Sequence, residues 1–137
     1  MEIVFYEKEN GEIPVKDFLD SLDIKMRKKA LGQIVILESY GRTLREPYSK
    51  YIKDGIFELR IQFSSDISRI FYFFYVGDKI VLTNGFIKKT QKTPPKEIEK
   101  ALKYKEDYER LTIKSQDKFK KNKTVKILHN KKTEISV

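Results

Sequence analysis

Residues 57–87 leave this chain little choice of fold. Over 57–63 apolar and polar residues alternate, with Phe57, Leu59, Ile61 and Phe63 on one side and Glu58, Arg60 and Gln62 on the other. This two-residue period marks a half-buried strand. Ser64-Ser65-Asp66-Ile67 reads as a hairpin loop. The strand that follows, over 68–76, contains the longest unbroken apolar run of the chain, the seven residues 70–76. Gly77-Asp78 is a turn of the type that joins antiparallel neighbours, and 79–87 returns as the last strand. Three strands in a row make an antiparallel meander, and such a sheet must bury at least one face.

The residues on either side supply the cover. Residues 2–7 read as a first strand that stops at Asn10-Gly11, and Pro14 suits the first turn of a helix. Val15, Phe18, Leu19 and Leu22 follow at i, i+3, i+4 and i+7, an amphipathic stripe. Asp23 is the expected cap of a second helix that runs to Tyr40 before Gly41, with Ala30, Leu31, Ile34 and Leu37 among its apolar positions. Thr93 is the expected cap of a last helix, with Pro94 at its first position and its end near Leu111. A strand, two helices, a run of strands and a closing helix indicate an α+β fold, in which a two-helix hairpin lies on an antiparallel sheet.

Composition removes whole classes of chemistry. The chain has no cysteine, hence no disulfide framework, thiol nucleophile or zinc–thiolate site, and one histidine, His129, hence no histidine pair. No apolar run approaches the length of a membrane span and no signal peptide is evident, so a cytoplasmic protein is expected. The formal charge is +9, unevenly spread: 113–137 carries eight lysines against Asp117 and Glu134. This excess suits an anionic partner, nucleic acid above all, or simply a solubilising surface. The expected organisation is a domain over 1–112 with a basic tail over 113–137. Residues 114–123 read as a solvated arm, and 124–128 as a short strand or a docking segment.

The hairpin register decides which side chains share a face. A four-residue loop at 64–67 pairs Phe63 with Ser68, Gln62 with Arg69 and Arg60 with Phe71. A turn at Gly77-Asp78 pairs Val76 with Lys79, Phe71 with Asn84 and Arg69 with Phe86. Arg60, Arg69 and Lys88 then leave one face among Phe71, Phe73, Tyr75 and Phe86, while Leu59, Ile61, Ile70, Tyr72 and Phe74 take the face under the helices. A slip of one residue would bury the arginines instead. Cations that hold phosphates, set among rings that stack on bases, make a platform for single-stranded RNA. Ordinary core aromatics with arginines paired to Glu58 or Asp66 are the other reading of the same residues.

Several strings carry a family resemblance: Pro14-Val15, Glu46-Pro47-Tyr48, Gly55-Ile56-Phe57-Glu58-Leu59-Arg60, Arg69-Ile70-Phe71-Tyr72-Phe73-Phe74 and, above all, Gly85-Phe86-Ile87-Lys88-Lys89-Thr90-Gln91-Lys92-Thr93-Pro94. With the helix start Glu97-Ile98-Glu99-Lys100-Ala101, they make residues 1–112 resemble the RelE/ParE toxin superfamily, specifically the HigB-like toxins related to phage Gp49 proteins. The resemblance implies a RelE-like fold and the toxin of a type II toxin–antitoxin pair that cleaves mRNA on the ribosome. It implies attack of a ribose 2′-hydroxyl on the adjacent phosphate, with no metal or other cofactor. The implied partner is a HigA-like helix-turn-helix antitoxin, with operator DNA reached only through it and no membrane involved.

In this resemblance Arg69 corresponds to the arginine that stabilises the phosphate, and Arg60 to the basic position of the preceding strand. Lys88 and Lys89 correspond to the basic pair after the last strand, either of which neutralises or protonates the leaving oxygen, and Lys92 is expected to contact the ribosomal or mRNA backbone. Phe71, Phe73 and Tyr75 are the expected base contacts. There are departures. Glu58 stands where many relatives carry a second basic residue, and it acts either as a proton acceptor or as a partner of Arg60. Pro94-Pro95 replaces a tyrosine or histidine found in some relatives; Tyr104 or Tyr108 would replace it only if the last helix folds back, and His129 lies outside the resemblance. A non-catalytic ParE-like gyrase inhibitor and an inactive phage-derived host-binding module are the alternatives; Arg60, Arg69 and Lys88 favour the nuclease.

Overall fold

The computed structural model describes residues 1–129, with side chains through Lys114. The elements are β1 (Glu2–Phe5), α1 (Pro14–Ser21), α2 (Ile24–Tyr40), a 3-10 turn (Gly41–Thr43), β2 (Ser49–Lys53), β3 (Ile56–Phe63), β4 (Asp66–Tyr75), β5 (Lys79–Ile87) and α3 (Pro95–His129). Two compact units are formed, Met1–Lys105 and a second that begins at Glu106.

One five-stranded sheet, in the order β1-β5-β4-β3-β2, organises the first unit. The meander pairs are antiparallel, and β1 adds in parallel at the edge beside β5. The meander has one strand more than the sequence reading gives it. β2 is that strand, and it turns into β3 through Asp54-Gly55, both with positive φ (49° and 86°). An Asp-Gly pair is what a two-residue type I′ hairpin requires, so the signal for β2 stands in the sequence.

On one face lie α1, packed on β5, and α2, packed on β3. Pro14 opens α1, and the Asp23 carboxylate caps α2 by accepting from the Met26 N–H at 2.8 Å. Arg27 closes the hairpin: its guanidinium donates to the carbonyls of Leu19, Asp20 and Leu22 at the C-terminal end of α1. Val15, Leu19, Met26, Ala30, Ile34 and Leu37 meet Leu59, Ile61, Ile70, Tyr72, Ile80 and Leu82 in a continuous core. Each such side chain, fully buried, contributes about 1.5–3 kcal/mol. Leu31, read as an apolar position of α2, faces solvent instead.

The other face is covered too. Tyr6, Ile56, Phe71, Phe73, Val81 and Ala101 are buried there, outside the main cluster. The first turns of α3 lie over them: the Lys105 ammonium sits 5.5 Å above the Phe73 ring, and Tyr104 stacks on Tyr6 at 4.8 Å. Tyr104 is thus a packing residue. The helix does not stop near Leu111 but runs to His129, so 124–128 is helical and not a strand. No glycine or proline interrupts it after Pro95, and lysine, glutamate and glutamine favour its extension. Residues 130–137 of the expected tail lie outside the described residues.

Gly85 sits on the helix face of β5, directly under the Phe18 ring. A Cβ built there would come within 2.3 Å of the ring. We expect Gly85→Ala to push Phe18 off the sheet and lower unfolding stability by about 1–3 kcal/mol, read by urea denaturation.

Candidate active site

The β3–β4 hairpin turns in two residues, not four. Phe63 pairs with Asp66, and Ser64 takes a left-handed φ of 58° without being glycine, which is why the sequence does not advertise the turn. The register therefore shifts by two, a change that preserves faces, and Arg60 stands directly opposite Arg69. On the far side Tyr75, not Val76, pairs with Lys79, which displaces the register by one. A β-bulge between Ile70 and Tyr72 takes up the difference and restores the Arg69–Phe86 pair.

Like charges opposite one another in a sheet repel. Glu58, two residues before Arg60 and on the same face, resolves the conflict. Its side chain is 1% exposed, and Oε2 lies 3.9 Å from Arg60 Nε and 3.5 Å from Arg69 Nε. Its Oε1 accepts the Thr93 hydroxyl at 2.9 Å. Thr93 therefore ties the β5–α3 connection to the middle of β3, where the sequence reading made it a helix cap. Arg69 is 7% exposed and donates to the Ser68 carbonyl at 3.0 Å. The Nε atoms of both arginines are buried without a hydrogen-bond partner.

Lys88 follows β5, and its backbone N–H donates to Ile67 at 2.9 Å, which extends the pairing past the strand end. Its ammonium feels Glu58, Arg69 and Arg60 and also Lys50, which stands opposite Glu58 on β2. The one buried carboxylate thus balances one of the three cations Arg60, Arg69 and Lys88. Glu46, 4.0 Å from Arg60, is solvated and contributes little. Burial first, and the neighbouring cations after it, show in the titration of the group. Arg69 is pushed below its ordinary range by burial, opposed by Glu58 and reinforced by Arg60. Lys88 is lowered too, first by burial, then by Arg69, Arg60 and Lys50, against the opposing pull of Glu58. The cluster is charged for an anion before one arrives.

The sequence-predicted residues fare differently. Arg60, Arg69 and Lys88 come together around Glu58. Lys89 and Lys92 are exposed on the β5–α3 loop, where the Thr90 hydroxyl donates to the Lys92 carbonyl. Phe71 and Phe73 are fully buried under α3, so neither ring is open to a base. Tyr75 lies six residues along β4 from Arg69, about 20 Å at strand rise, too far to stack on a base next to a phosphate held there. The aromatic platform is therefore corrected to a second core layer. Thr93 and Lys50 are the residues the sequence reading misses. Among the described residues no helix is long and apolar enough to cross a membrane, and no group of three or more His, Cys, Asp or Glu is placed to hold a metal ion.

Residues 17–106 match the family model described as phage derived protein Gp49-like. No curated protein matches the chain. The matched segment contains every residue of the cluster.

Two outcomes test the electrostatics. Thr93→Val leaves a buried carboxylate oxygen without its donor and should cost about 1–3 kcal/mol of unfolding stability, which Thr93→Ser should largely restore. For Lys88 the sign follows from its causes: Glu58→Gln should lower its pKa further and Arg69→Met should raise it, by NMR titration of the lysine ε-position. Unfolded Lys88 holds its proton more tightly than folded Lys88. The fold should therefore gain stability as pH climbs from the lowered folded value toward the ordinary 10.5, a rise that Lys88→Met removes.

Proposed function

Because the chain belongs to the phage-derived Gp49-like family, a RelE/HigB-like toxin family of toxin–antitoxin systems, we propose that it is a ribosome-dependent mRNA endoribonuclease of the cytoplasm, neutralised by a HigA-like helix-turn-helix antitoxin. The observation that carries this reading is the gathering of Arg60, Arg69 and Lys88 around one buried carboxylate on a single sheet face.

The charge balance suits the reaction. A phosphodiester carries one negative charge, and attack by the 2′-hydroxyl turns it into a pentacoordinate phosphorane that approaches two. Three fixed cations against Glu58 leave two positive charges in excess, so the site matches the transition state better than the ground state. Arg69 and Arg60, held in place by Glu58, take the phosphoryl oxygens. The P–O5′ bond breaks as the 2′,3′-cyclic phosphate closes, and Lys88, more acidic than an ordinary ammonium, gives its proton to the departing 5′-oxygen. Glu58 has Oε1 engaged by Thr93 and Oε2 set between two guanidinium groups, which supports an orienting role over that of proton acceptor. The 2′-hydroxyl proton then passes to water. Lys89 and Lys92, exposed on the adjoining loop, meet the RNA backbone, and the domain that does this spans 1–112.

Primer-extension mapping of mRNA after induced expression checks the proposal. The expected result is codon-phased cleavage that falls on the order of 10²–10³-fold in Arg69→Ala, with growth restored. Growth arrest with intact mRNA and damaged DNA would instead indicate a gyrase inhibitor. An adjacent reading frame for a small helix-turn-helix protein should exist, and its product should suppress the arrest.

A further inference from the structure

The cation cluster extends one strand beyond the residues that act on the phosphoryl group. Lys50 on β2 is the cross-strand partner of Glu58, so its side chain leaves the sheet on the face of Arg60 and Arg69. Direct opposition to a carboxylate would ordinarily make an ion pair. Here Glu58 is turned instead to Arg60, Arg69 and Thr93, and Lys50 stands exposed, with no ion pair among the described residues. An ammonium whose facing carboxylate is already taken is free to hold another anion.

Its place in the sheet says which anion. Lys50, Arg60, Arg69 and Lys88 lie on or just past β2, β3, β4 and β5, four successive strands. At the usual strand spacing the row spans about 14 Å across the sheet. That is longer than one phosphate needs, and it crosses the strands obliquely, because Lys50 is level with Glu58 and Lys88 with Ile67, on opposite sides of the Arg60–Arg69 pair. With Arg60 and Arg69 on the scissile phosphate and Lys88 on the departing 5′-oxygen, Lys88 marks the 3′ side of the cut. Lys50, at the opposite end of the row, marks the 5′ side.

We propose that Lys50 forms a second phosphate subsite, which holds the phosphodiester immediately 5′ of the scissile one, so that single-stranded RNA crosses the sheet 5′ to 3′ from β2 toward β5. The subsite rests on the nuclease reading, since that reading sets the polarity. It makes Lys50 a positioning residue: it touches a phosphate that does not react and fixes the register of the one that does.

The test is single-turnover cleavage by the full chain on ribosomes programmed with an mRNA whose cleaved codon is known. One version of the mRNA carries a neutral methylphosphonate in place of the phosphate 5′ of the cut, and a second carries it 3′ of the cut. The 5′ substitution should slow the wild-type chain roughly tenfold and leave Lys50→Ala, already slowed by a similar factor, unaffected. Lys50→Arg should restore both the rate and the sensitivity. The 3′ substitution should act equally on all three proteins. Because Lys50 is exposed, Lys50→Ala should keep the wild-type melting curve. If the 5′ substitution slows wild type and Lys50→Ala by the same factor, the subsite is overturned while the nuclease reading stands. If the wild-type chain cleaves neither native nor modified mRNA, the nuclease reading fails and the subsite goes with it.

Discussion

A carboxylate buried between two guanidinium groups holds this protein's surface chemistry together. Arg60 and Arg69 face each other across β3 and β4, a placement that two like charges resist. Glu58 lowers that repulsion from within the same face, and at 1% exposure it can do so only while paired. Removing Glu58 would leave the buried Arg69 guanidinium without its compensating charge. The arginines are thus pre-set before any ligand arrives, and no part of the binding energy for an anion goes into gathering them.

The architecture behind this pairing is a relay through backbone irregularities. The bulge in β4–β5 turns Asn84 toward α3, where its amide donates to the Glu97 backbone carbonyl and carboxylate at 3.2 Å each. The Thr83 hydroxyl supports it by donating to the Asn84 side-chain oxygen at 2.8 Å. With the first turn of α3 fixed, Thr93 just before it reaches Glu58. The same turns of α3 seal Phe71 and Phe73. One helix start therefore both closes the second core layer and orients the carboxylate that sets the arginines.

Two features separate this cluster from a plain surface patch. The Nε atoms of Arg60 and Arg69 are buried and both turned to the Glu58 carboxylate, at 3.9 and 3.5 Å, so one anion orients both guanidinium groups. Lys88 is depressed by burial and by its cationic neighbours, so a proton lies within easier reach than on an exposed lysine. Burial is the larger cause of that depression and the neighbouring cations add to it, while Glu58 opposes both.

The amino-acid order by itself determined the strands, the capped helix pair and the face on which Arg60, Arg69 and Lys88 emerge. Hydrophobic period is a local property, and side-chain parity survives a register error of two residues. Asp54-Gly55 carried the signal for β2 as well, and with it the position of Lys50. Tertiary structure alone decided the rest. Whether Phe71 and Phe73 meet solvent or a helix depends on where α3 lies, which no strand pattern encodes. The two-residue turn at Ser64, the compensating bulge and the reach of Thr93 to Glu58 depend on packing between segments far apart in the chain. A ring on a strand looks the same in sequence whether it waits for a base or is already covered, because burial is a property of what packs on top.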